Sequence, residues 1–225
     1  MTKEKLMERF KGKRLIRRIV IMLISVTVMG MGISFYRLAA MGADPCSTMN
    51  LGISARIGLP FGVWQAILNT ILLIIIFFVD RSMLGIGTIG NMFICGFAAD
   101  LFSPVLESMF AATDELGIPL RVVLTIIGVA LQLVGVSFYV TADLGMAPYD
   151  CISYIIPDKT GIPFRWWRII EDVSAVAIGL LISIGIESSA SFGLGTILMA
   201  FCTGPIIPVL NRHLAAPILK TDKVR

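Results

Sequence analysis

Histidine occurs once in the 225 residues, as His213, and none of the four cysteines forms a C-x-x-C pair. A histidine-based metal cluster is excluded on that ground, and Cys46, Cys95, Cys151 and Cys202, all in or beside apolar segments, read as buried free thiols. Charge is scarce too: 15% of residues are charged and 56% are hydrophobic, with a mean hydropathy of +0.88. That balance excludes a soluble domain of ordinary composition and leaves a polytopic membrane protein. There is no Ser-His-Asp set, no zinc pattern and no pair of catalytic acids with a base, so neither an enzyme nor a cofactor is expected.

What charge there is lies unevenly. Eight of the nineteen basic residues fall between Lys3 and Arg18. They read as an orientation signal, and the net charge of +4 therefore does not point to nucleic acid. The apolar run from Ile19 to Ala40 is about bilayer length, which fits an uncleaved first span better than a signal peptide. Further runs of spanning length occur near 61–79, 86–109, 119–142, 166–186 and 191–210, giving six expected helices. Basic residues concentrate on alternate connections, with Arg37, Arg56 and Arg121 as exceptions, so both termini are expected in the cytoplasm of a bacterial plasma membrane protein.

The chain contains one stretch twice. GISFYRLAAMGADPCSTMNLGISARIGLPFGVW at 32–64 aligns with GVSFYVTADLGMAPYDCISYIIPDKTGIPFRWW at 135–167 at a constant shift of 103. Gly42/Gly145, Pro45/Pro148, Gly58/Gly161, Pro60/Pro163 and Trp64/Trp167 coincide. The repeat continues in GIGTIGNMFICG at 85–96 and GLGTILMAFCTG at 193–204, now shifted by 108. The chain therefore divides into a basic lead-in (1–18), two three-helix copies (19–110 and 119–212) and a basic tail (213–225). Three helices per copy is an odd number, so the second copy is expected to enter the membrane inverted relative to the first.

Segments 41–58 and 144–161 are too interrupted to span. Asp44 as N-cap, Pro45 at the first helical position and the Gly58 and Pro60 stops predict a short helix over 45–57; a second starts at Pro148 and is expected to break early at Pro157. Each segment either lies at the interface or dips into the protein as a re-entrant helix. The G-x-G-T at 85–88 and 193–196 lacks the Lys-Ser/Thr of a phosphate loop and reads as a tight helix start.

Polar residues within the spans are few, and each is a candidate. Gln65 and Asn69 repeat as Arg168 and Asp172, both pairs spaced i, i+4 on one helix edge. A charge at mid-bilayer costs roughly 2.5–3.5 kcal/mol, so Arg168 and Asp172 are expected to face inward, as solute or proton site or as an ion pair locking two helices. Glu171 points about a hundred degrees from Asp172 and is expected toward the headgroups. Trp64, Trp166 and Trp167 read as interfacial anchors, with solute stacking the sharper alternative for Trp64 and Trp167. Asp150 near a helix start suits the helix dipole. The Ser-Phe-Tyr triplets at 34–36 and 137–139, one turn after Gly32 and Gly135, read as close helix packing.

L-G-x-x-P-x-D at 144–150, T-G-I-P-F at 160–164, the helix start from Arg168 to Asp172, and G-L-G-T at 193–196 followed by G-P at 204–205 together resemble one family. It is the YczE-like branch of the YczE/YyaS/YitT bacterial integral membrane proteins. The resemblance covers nearly the whole chain beyond the lead-in, but the first copy has Cys46 and Ser47 where the family usually has an aromatic residue and aspartate. It implies a membrane protein and supplies no substrate. The expected function is a small secondary transporter or permease for a polar or anionic solute, with a non-transporting accessory or regulatory protein as the alternative. Lipid, a small solute and a second copy of the chain are the expected partners.

Overall fold

The computed structural model describes residues 13–110, 117–186 and 193–219. The lead-in before Lys13, the Asp114 and Glu115 loop, Glu187 and the tail from Lys220 lie outside the described residues. Those that are described form helices and short turns, in the order α1 (Lys13–Ala39), α2 (Pro45–Ile57), α3 (Phe61–Val79), α4 (Ile86–Phe110), α5 (Ile118–Ala142), α6 (Pro148–Thr160), α7 (Phe164–Ser183) and α8 (Leu194–Leu210, continued to Leu219). A wide π turn interrupts α4 at Asn91–Cys95, and another follows Leu210 at Asn211–Ala215.

Helices α1, α3, α4 and α5 are long and apolar enough to cross a membrane, and α8 makes a fifth if its two halves, bent by 54° at Pro205, count as one span. The expected sixth span, α7, has the length but carries Arg165, Arg168, Glu171 and Asp172 in its first nine residues, which takes it out of the apolar class. Large apolar side chains on the outer faces, such as Ile71, Ile74 and Phe78 of α3, are exposed, as lipid-facing positions require.

The short helices begin where the sequence puts them. Asp44 caps α2, its carboxylate accepting from the Ser47 N–H at 3.0 Å, and left-handed Gly58 (φ 69°) ends it. Pro157 does not break α6, which runs on to Thr160. A proline this close to a helix end removes one backbone hydrogen bond from the last turn, and the remaining turns hold. Nor does α2 lie on the surface: Pro45, Ser47, Thr48, Asn50, Leu51, Gly52 and Ser54 are buried.

The copies pack by exchange. α1 and α5 form the most extensive helix pair; Gly32 lies against the Gly128 carbonyl, whereas Gly135 lies against Met29 and the Ser25 carbonyl, so the two helices run antiparallel. The short helix of each copy packs on the second helix of the other: α2 meets α7, Gly52 against Gly179, and α6 meets α3 through Met146, Cys151, Ile155 and Ile76. The loops before the short helices exchange likewise. Gly87 N–H donates to the Leu144 carbonyl at 2.8 Å, and Gly195 N–H donates to the Met41 carbonyl at 2.9 Å. The G-x-G-T segments are therefore docking surfaces, where a missing Cβ lets a foreign backbone approach. Thr88 adds a cap, its hydroxyl accepting from Gly85 N–H at 3.0 Å.

Candidate functional site

Two faces of α6 divide the work. Cys151 and Ile155 hold it on α3, and Met146 N–H, donating to the Met83 carbonyl at 3.0 Å, ties down the approach to it. Asp150 and Ser153 lie on the other side of the helix, about 150° away at 3.6 residues per turn, and face α7. On α7 the positions of Arg168, Glu171 and Asp172 are spaced i, i+3, i+4 and share one face.

Where these faces meet, the Arg168 guanidinium donates from Nη1 to Asp150 Oδ1 at 3.0 Å and from Nε to Asp172 Oδ2 at 3.1 Å. Nη1 also lies 3.4 Å from Ser153 Oγ, and Ser153 donates in turn to Glu171 Oε2 in a short contact. The guanidinium carbon stands 5.7 Å from the centre of the Tyr149 ring. Arg168 and its aspartates are about three-quarters buried or more. Glu171 Oε1, Asp172 Oδ1 and the Tyr149 hydroxyl are buried without a hydrogen-bond partner.

The first copy reaches the same place with different chemistry. Asp44 is near enough to Arg168 and Asp150 for their charges to act on it, and Cys46 is in range of Asp150, Arg168 and Glu171. Gln132 Nε2 comes within 3.5 Å of Asp44 Oδ2, and Asn50, the repeat counterpart of Ser153, donates to Cys46 Sγ at 3.5 Å. The amino ends of both short helices thus converge on the Arg168 cluster. Gln65 and Asn69, the counterparts of Arg168 and Asp172, are buried, but Gln65 faces Gly96 and Cys95 of its own copy. Arg168, Asp172 and Asp150 therefore come together as one site, with Gln65 outside it.

Two sequence expectations change here. Glu171 turns to Ser153 of α6, whose hydroxyl donates to its Oε2. Trp64 and Trp167 bury their indole N–H groups, while Trp166 is 54% exposed. Arg168 commits Nε to Asp172 and Nη1 to Asp150 and Ser153, so two of its three nitrogens are held by the protein. Three carboxyl groups, those of Asp150, Glu171 and Asp172, surround the one guanidinium.

A second charged pair was missed. Arg37 donates to Asp100 Oδ1 at 2.8 Å, and Asp100 Oδ2 accepts from Gly62 N–H at 2.7 Å, tying the end of α1 and the start of α3 to α4. Arg37 stood out in the sequence as a charge on the wrong side, and a partner for it was the available signal.

No solved structure shows a significant match to the chain. The uncharacterised membrane protein YczE of Bacillus subtilis (strain 168) is 27% identical over 168 residues, covering 75% of this chain and 73% of the relative. The uncharacterised protein YyaS of the same organism is 25% identical over 197 residues, covering 84% and 92%. Both relatives agree with the YczE-like resemblance read from the motifs. The family model that matches spans residues 16–212, and the chain belongs to that family of unknown function, DUF6198.

Proposed function

We propose that the chain is a small secondary transporter or permease of the bacterial plasma membrane, built from two inverted three-helix copies, that moves a small polar solute past the Arg168 cluster. The observation that carries this reading is the convergence itself. An arginine with three carboxyl groups lies at the amino end of one short helix, and Asp44 at the amino end of the other copy's short helix is close enough for their charges to interact. Broken helices that meet between inverted repeats are the usual setting of a solute site in such transporters, and irregular backbone at membrane depth persists where it lines a path or is enclosed by protein. The antiparallel α1–α5 pair and the reciprocal loop docking support inversion. In this reading Asp172 exchanges a proton or a cation as the solute passes, and both termini are cytoplasmic.

Uptake into proteoliposomes across a solute panel tests the proposal, with Asp172→Asn as comparison. Accumulation driven by an ion gradient and lost in the variant is the expected result. A folded protein that moves no solute would remove the transport reading. One observation favours a second reading: Arg168 bridges aspartates on two different helices, as a structural lock in a non-transporting accessory protein would. Under that reading Asp172→Asn lowers stability and no solute moves.

A further inference from the structure

We propose that the solute is a small organic cation, a protonated amine or a guanidinium compound, which takes the contacts that Arg168 now makes. This rests on reading the cluster as the solute site. The site already holds a guanidinium, its own: two aspartates grip the nitrogens and an aromatic ring stands 5.7 Å from the carbon. What the site leaves unused is also informative. Glu171 Oε1 and Asp172 Oδ1 are buried acceptors without a partner, and on carboxylates that assignment does not depend on how an amide is turned.

A second, independent feature points the same way. Tyr149 is only 8% exposed, its hydroxyl has no hydrogen-bond partner, and it lies within electrostatic range of Asp172, Glu171 and Cys46. Buried polar atoms normally find partners, and this set is matched by a ligand rich in N–H donors. The unpartnered indole N–H groups belong to Trp64 and Trp167, which precede Gln65 and Arg168 and so point about 100° away from them on their helices. Arg168 then acts as an internal competitor: it neutralises the carboxylates when the site is empty of solute and yields them when a cation binds.

The test is equilibrium binding to the full chain in nanodiscs, with methylguanidinium and propylammonium chlorides as probes and sodium propionate as the size-matched anion. Saturable binding of a cation probe, absent for propionate, is expected. Glu171→Gln and Asp172→Asn should each weaken it by about tenfold or more. Tyr149→Phe, which deletes only the hydroxyl and keeps the fold, should weaken it several-fold. Arg168→Gln should tighten it, a change of opposite sign that a merely structural arginine would not produce. Binding of propionate in place of the cations, binding of neither probe, or cation binding untouched by both carboxylate variants would overturn the inference. Cation binding without uptake would leave this inference standing and remove transport, whereas uptake of an anion would do the reverse.

Discussion

Gly85→Ala is the sharpest probe of how the copies interlock. Gly85 has an extended backbone, φ −171°, that any residue can adopt, so the change introduces no backbone strain and isolates one methyl group. That methyl would fall 2.2 Å from the Leu144 carbonyl oxygen and 2.9 Å from its carbon. Carbon and oxygen need more than 3 Å, so the loop at Leu144 must retreat by about 1 Å. The Gly87 to Leu144 bond of 2.8 Å and the neighbouring Met146 to Met83 bond of 3.0 Å would both fail. At about 1–3 kcal/mol for each buried backbone group left unpaired, the loss is roughly 3–5 kcal/mol. Unfolding of the purified protein in detergent, followed by circular dichroism through a denaturing-detergent titration, measures it. Gly117→Ala is the control, since the nearest atom to its methyl is Pro119 Cδ at 3.7 Å, and it should lie within about 0.5 kcal/mol of wild type. If Gly85→Ala matches Gly117→Ala, the docking geometry is wrong.

Other perturbations separate the two charged clusters. Arg168→Ala leaves three carboxylates facing one another in a mostly buried site and should cost about 3 kcal/mol, with Asp172→Asn in the same background recovering part of the loss; a double variant worse than the single one would contradict the pairing. At the second cluster the pair is about a quarter exposed, so Arg37→Ala should cost about 1 kcal/mol or less. Asp100→Ala should cost about 1–2 kcal/mol more, because the Gly62 N–H also loses its acceptor. Equal costs in the same unfolding assay would count against the Gly62 bond.

The local parts of this structure could be read from the sequence, and the non-local parts could not. The start of α2 at Pro45 and its end at Ile57 follow from a cap, a proline and a glycine within a few residues of one another. The positions of the four long apolar helices α1, α3, α4 and α5 follow from apolar length alone. The Gly85 and Gly193 motifs looked like helix starts, which they are, but nothing near them in sequence indicates Leu144 or Met41, the backbones that they receive. Glu171 was misplaced for a related reason. Its angular offset from Asp172 is a property of α7 alone, whereas its orientation is decided by Ser153 on α6. Pro157 shows the opposite error, a local rule applied at a helix end where one lost hydrogen bond does not stop the turn.

In the proposed topology the two copies enter the membrane from opposite faces, so that α2 and α6 descend toward a common centre. Single-cysteine accessibility in intact cells tests it most directly, with Arg56→Cys at the end of α2 and Lys159→Cys at the end of α6, each in a background without the four native cysteines. The account predicts that a membrane-impermeant thiol reagent labels Arg56→Cys from outside and reaches Lys159→Cys only after the membrane is opened. Labelling of both from the same side would contradict it.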